Sequence, residues 1–321
     1  MKTGERFTHN RMVEQAMKQI RKAKASIILT AFIIIGGLIS CNPPQIRLSD
    51  LKRSIIKKFD SETGDFALAF RDLNDSTVSL FINEKETFHA ASTYKVAVMI
   101  ELFNQVASKK FQLIDSITIT NEFRSIVDQS SYTLYADDDS EKELYQRIGQ
   151  RISLRDLNYM MITSSSNLAT NLLVDFLNPS NIMSTMRSIG ARDIEVIRGV
   201  QDIKAFESGM NNTVTAFDLL LLFEAINSGF FFAGLENKQM IAILKEQKFN
   251  EIIPALLPEN IEVAHKTGSI TRLHHDAGIV YLPDGRGYTV VLLLKNLDDF
   301  DSATGMLAEV SKLVYDYYVV K

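Results

Sequence analysis

A chain of 321 residues, 46% hydrophobic and 23% charged, has enough apolar material for one large domain or two intimately packed ones, and excludes a disordered or fibrous protein. A formal net charge of -4, with no long basic run or aromatic-basic stripe outside the first 25 residues, excludes a nucleic-acid-binding surface as the main function. The single cysteine, Cys41, excludes a disulfide framework, so the core alone must hold the fold.

Taken in chain order, the N-terminus reads as a targeting segment. Lys18, Arg21, Lys22 and Lys24 precede an apolar run from Ser26 to Ile39, which is short for a bilayer span and has the charge order of a secretory signal. The run ends in Leu38-Ile39-Ser40-Cys41, and a small residue before a lone cysteine resembles the lipobox of bacterial lipoproteins. The resemblance implies cleavage after residue 40, lipidation of Cys41, a tether over residues 41–48 and a lipid-anchored protein on the export side of the cell envelope; an uncut signal anchor is the alternative. Met17 begins a more usual signal length than Met1. Removal of seven basic and two acidic residues with the leader leaves an acidic remainder.

Leu51, Ile55, Ile56 and Phe59 outline a first helix from Ser49, which is placed to cap it. Strand-like runs follow at 66–70 and 77–82, with Asn74-Asp75 as the turn between them. Val96, Met99, Ile100, Phe103 and Val106 recur at helical spacing and predict an amphipathic helix with Ser92 in its first turn. Asp137, Asp138, Asp139, Glu141 and Glu143 read as a solvated acidic loop rather than a metal site. Ser153 and Thr215 open two further helices with capping-box patterns, the second closed by Gly229. Between them, residues 198–212 show little periodicity, and a loop of that length in a compact domain is usually functional. Strands are predicted at 261–266, 278–282 and 288–295, the last two joined by a turn-rich hairpin, before a closing helix carrying Ala303, Met306, Leu307, Val310, Leu313, Val314 and Tyr317. The pattern predicts an α+β sandwich of the α/β class: residues 49–91 and 255–320 form an antiparallel sheet flanked by helices, and 92–254 a helical subdomain.

Three short motifs carry chemistry. In Ala91-Ser92-Thr93-Tyr94-Lys95 the spacing places an amine one turn from a hydroxyl. A serine alcohol needs a base to take its proton, and a lysine serves if burial or a neighbouring cation lowers its pKa. The pattern alone is common: Ser49 with Lys52 and Ser54 with Lys57 repeat it on the first helix. Downstream, Ser165-Ser166-Asn167 falls at a break between two helical patterns, and Lys266-Thr267-Gly268-Ser269 ends a predicted strand. His274 and His275 are poor joint metal ligands, because neighbours on a strand point to opposite faces; one is expected to line the cleft near Lys266 and the other to be structural. Tyr132 is a candidate aromatic wall of that cleft.

The three motifs in this order, across residues 49–320, resemble the class A β-lactamases and the serine penicillin-recognising enzymes generally. The resemblance implies the β-lactamase/transpeptidase-like fold and a serine hydrolase acting through an acyl-enzyme on Ser92, with no cofactor and no metal. Lys95 would accept or relay the proton, and Ser165 would pass it to the leaving nitrogen. Asn167 would bind the substrate amide. Lys266, Thr267 and Ser269 would hold the substrate carboxylate, and the Ser92 and Ser269 N–H groups, beside Gly268, would receive the oxyanion. A monomer acting on a small-molecule β-lactam or a cell-wall-like peptide is expected, without nucleic-acid partners. Two departures stand out: Ser166 occupies the usual aspartate position, and the glutamate that activates the deacylating water has no clean counterpart. Counting back from Thr213-Val214-Thr215 brings Val200 or Gln201 there; Glu207 with Asn211 has the family spacing but lies late in the loop, and Asp202 is short. The alternative is a D,D-peptidase or esterase, or a penicillin-binding sensor that clears its acyl group slowly.

Overall fold

The computed structural model describes residues 17–19, 47–230 and 235–321, so the leader and Cys41 lie outside the described residues. Helices α1 (Leu48–Phe59), α2 (Lys95–Ala107), α3 (Leu154–Thr163), α4 (Asn167–Leu177), α5 (Pro179–Ile189), α6 (Ile203–Glu207), α7 (Ala216–Ser228), α8 (Leu235–Lys245) and α9 (Phe300–Val320) accompany one main sheet. Its strands are β1 (Asp65–Asp72), β2 (Ser79–Ile82), β3 (Glu262–Ile270), β4 (Leu273–Tyr281) and β5 (Gly287–Lys295). They run antiparallel in the order β2-β1-β5-β4-β3, which leaves β3 at an edge.

The period-two alternation of β1 sets the layers. Phe66, Leu68 and Phe70 join Leu51 and Ile55 of α1 and Leu307, Val310 and Val314 of α9 in one apolar cluster. Ala67 and Ala69 face the other way, into the larger cluster built with α2, α3, α4 and α7. Small side chains on that face let α7 approach the sheet closely. Helix α2 is buried on all sides, with every residue from Lys95 to Phe103 out of water, so the expected amphipathic helix is in fact the central one. Burial of its large apolar side chains contributes roughly 1.5–3 kcal/mol each. That surplus is what holds the Lys95 amine out of water.

Several boundaries moved for identifiable reasons. Arg47 precedes α1 without a side-chain cap, and Ser49 lies inside the helix. Helix α2 begins at Lys95 rather than at Ser92, because Ala91 takes a left-handed φ of 46° and residues 91–94 form a turn. Strand β3 continues past Lys266, so the whole Lys266–Ser269 motif lies within it. The caps at Ser153, Thr215 and Gly229 are as expected, each with its backbone hydrogen bonds.

Candidate active site

Ser92 stands on the turn before α2, half-buried, with its carbonyl accepting from Lys95 N at 3.3 Å. Edge strand β3 passes directly beside this turn. A Cβ on Gly268 would lie 2.9 Å from Ser92 N and 3.0 Å from Thr93 N, so only glycine permits the approach. A two-residue turn, Thr271-Arg272, joins β3 to β4, with Ile270 paired to Leu273 and Ser269 to His274. Ladder alternation from that turn directs the Ser269 N–H away from β4, toward the open edge. Two backbone donors, from Ser92 and Ser269, therefore flank the same space.

The middle motif enters from α4. Ser165 takes a left-handed φ of 57°, which throws its side chain between two lysines. Lys95 Nζ donates to Ser165 O at 2.7 Å and lies 3.1 Å from Ser165 Oγ and 3.2 Å from Asn167 Oδ1. Lys266 Nζ lies 3.2 Å from the same Ser165 Oγ and donates to Thr267 O at 2.9 Å. Both amines are fully buried. Burial, and next the charge of Lys266, hold Lys95 well below the ordinary amine value, against an opposing pull from Asp139. Burial lowers Lys266 to about 7, with Asp276 opposing. An amine with a lowered pKa, a hydroxyl and a second amine in series can carry a proton over a short path.

The aspartate lost from the middle motif is supplied from elsewhere. Asp139 is buried rather than solvated, whereas Asp137, Asp138 and Glu143 of the same acidic loop are exposed as expected. Its Oδ2 accepts from Asn167 N at 2.9 Å, Leu168 N at 2.8 Å, Ser166 Oγ at 3.2 Å and Tyr145 OH at 3.0 Å. A carboxylate at the N-terminus of α4 satisfies donors that helix geometry leaves open and suits the helix dipole. Asp139→Ala strands those donors, and a loss of about 2–4 kcal/mol is expected in denaturant unfolding.

Residues 198–212 form the cleft's other wall. Arg198 staples the loop by donating to Met210 O, Gly199 O and Asn211 Oδ1, and Asn212 O accepts from Ala90 N beside the nucleophile turn. Asn171, one turn beyond Asn167 on α4, accepts from Val200 N at 2.6 Å and donates to Val200 O at 3.1 Å. A Cβ on Gly199 would fall 2.3 Å from Asn171 Oδ1 and would displace the amide that clamps Val200.

These walls enclose a cleft of about 780 Å³ lined by Ser92, Ser165, Asn167, Thr267, Gly268 and Ser269, with Val200, Gln201 and Asp202 from the loop. Gln201 has a left-handed φ of 60° and a buried Oε1 with no partner among the described residues. Asp202 is spent on structure: it caps α6 and accepts from Ser125 Oγ and Ile126 N, both at 2.9 Å. Glu207, a sequence candidate for the base, sits exposed at the far end of α6 and does not line the cleft. Tyr132 does not line it either; its hydroxyl accepts from Asn171 Nδ2 at 3.3 Å, behind the loop. His274 lines the cleft, whereas His275 is buried, bonded to His89 O at 3.0 Å and held down to about 3 by burial. Asp139 and Asn171 were not anticipated. Asn171 had one signal, its spacing of four from Asn167 on one helical face.

The family model described as the β-lactamase enzyme family matches residues 49–318. The chain belongs to the β-lactamase enzyme family. It is a hydrolase of the serine β-lactamase type, with the fold of that family. A β-lactamase of Bacteroides uniformis is 22% identical over 309 residues, spanning 92% of this chain and 99% of the relative. Among solved structures, the β-lactamase from Sphaerobacter thermophilus superposes with a TM-score of 0.72 at 23% identity, covering 86% of this chain and 98% of that one. A variant of PBP-A, described as an acyl-enzyme complex with penicillin G, gives 0.72 at 25% identity, covering 86% and 99%.

Proposed function

We propose that the protein opens β-lactam-type amides by forming an acyl-enzyme on Ser92. The observation that carries this reading is the buried Lys95–Ser165–Lys266 chain standing beside Ser92. Lys95, its amine held well below the ordinary value by burial and by the charge of Lys266, accepts the Ser92 proton as Oγ attacks the carbonyl carbon. The oxyanion meets the Ser92 and Ser269 N–H groups. The proton then passes through Ser165 Oγ to the leaving nitrogen as the amide bond breaks. Lys266, Thr267 and Ser269 hold the substrate carboxylate, and Asn167 Nδ2 turns to the acyl-side amide. Cys41 anchors the exported protein to a membrane by its lipid.

A second reading, a penicillin-binding or D,D-peptidase protein with slow clearance, is favoured by the loop. Val200 and Gln201 are neutral, Asp202 accepts from three donors and Glu207 lies outside the cleft, so the loop presents no free carboxylate to the cleft. Val200→Glu, on a backbone that Asn171 clamps from both sides, and Gln201→Glu supply one. At least one of them is expected to speed loss of the penicilloyl adduct by about 10²-fold, the usual scale of general-base catalysis. Unchanged decay in both variants would remove the loop from deacylation.

Lys266 gives the reading a pH signature. Its charge disappears as pH rises through about 7, so kcat/KM for a carboxylate-bearing β-lactam should fall above that point. The corresponding methyl ester should show no such alkaline limb. A common limb in both profiles would place the titration elsewhere.

A further inference from the structure

The end of the cleft beyond Ser269 carries groups that acyl transfer does not use. His274, opposite Ser269 across the β3–β4 ladder, lines the cleft although only 5% exposed. Its ring stacks on Phe300 with centroids 4.6 Å apart, and Nδ1 lies 2.8 Å from Thr304 Oγ1. The Thr304 hydroxyl donates its own proton to Phe300 O at 2.7 Å, so Oγ1 accepts from His274 and Nδ1 carries the ring proton. Burial lowers the His274 pKa and keeps the ring neutral, against the pull of Asp276 and Glu251. Nε2 is therefore a lone pair with no protein donor among the described residues.

Two carboxylates, Glu251 and Asp301, line the same end and are exposed. No basic side chain that lines the cleft or stands near this end in sequence bonds either of them among the described residues. All three hydrogen-bonding nitrogens of Arg198 are committed within its own loop, Lys248 pairs with Glu141 at 3.1 Å, and Arg272 pairs with Asp298 at 2.9 Å. One neutral imidazole acceptor and two carboxylates thus adjoin the place read above as the carboxylate site. Such a set complements a cationic N–H donor and repels a second anion.

We propose that this end of the cleft is a subsite for a protonated amine or guanidinium on the substrate, next to the carboxylate that Lys266 holds. The preferred substrate is then a zwitterion across its leaving side, with its carboxylate on β3 and its cation between His274, Glu251 and Asp301. The subsite rests on the acyl-enzyme reading of Ser92 and adds specificity to it.

The test compares second-order acylation rates, by intact mass, for two cephalosporins that differ only beside the carboxylate: an aminomethyl compound and its hydroxymethyl counterpart. The full chain should prefer the ammonium compound by about fivefold or more at low salt, the scale of partly exposed ion pairs. That preference ratio should shrink toward unity in Glu251→Gln/Asp301→Asn and in 0.5 M salt, where the screening length is roughly 4 Å. Equal rates in the parent, or a ratio that survives both changes, would overturn the subsite while leaving Ser92 acylation standing. No adduct with either compound would overturn the acyl-enzyme reading and the subsite with it.

Discussion

Ser92→Ala is expected to lower the β-lactam acylation rate by at least about 10⁴-fold and to leave the fold intact. The magnitude follows from removing the nucleophilic atom of the proposed acyl-enzyme, since the remaining hydrogen-bond donors would still bind substrate but could not attack it. The fold should tolerate the change because Ser92 is half-buried on a turn whose geometry is set by Ala91 and by the packing of Gly268, not by its hydroxyl. Labelled penicillin followed by peptide mapping reads the first effect, and a thermal melt reads the second. Covalent label on the corresponding peptide of the Ser92→Ala variant would contradict the assignment.

Lys95→Met is expected to cost about 10³-fold in acylation, within the range of general-base contributions, while changing the melting temperature by only a few degrees. The two readouts separate because Lys95 is costly to the fold and is the base of the proposed acylation. Its amine is fully buried beside a second amine, so methionine relieves a desolvated base as it forfeits three contacts to Ser165 and Asn167. A role confined to structure would instead show a large drop in melting temperature with activity falling only in proportion to unfolded protein. Added alkylamine restoring part of the acylation rate would identify the missing group as the base.

Much of this site was legible because its chemistry sits in contiguous motifs with helix and strand signals around them. Ser92 with Lys95, Ser165 with Asn167, and Lys266 with Gly268 and Ser269 each occupy one turn or one strand, so local spacing predicts their grouping. The caps at Ser153 and Thr215 were legible for the same reason. What escaped depends on contacts between distant segments. Nothing near Asp139 marks it among its acidic neighbours, because its partners, the amides of Asn167 and Leu168, lie 28 and 29 residues away. Glu207 had the family spacing, yet α6 turns it toward solvent, and Asp202, beyond its local cap to Ala205 N, is held by Ser125 and Ile126, which lie 77 and 76 residues away. Tyr132, expected as a wall of the cleft, does not line it, since Asn171 lies between it and Val200. The start of α2 shifted because a left-handed non-glycine residue, Ala91, has no sequence signature.

Acylation at Ser92 is tested most directly by following the intact mass of the full-length protein against time after mixing with penicillin G, with the modified peptide mapped at each point. The geometry predicts a gain equal to the whole mass of the antibiotic, because ring opening loses no atoms, located on Ser92 and decaying slowly because the loop turns no free carboxylate into the cleft. A protein whose mass never changes, or one that carries the adduct on another side chain, would contradict it.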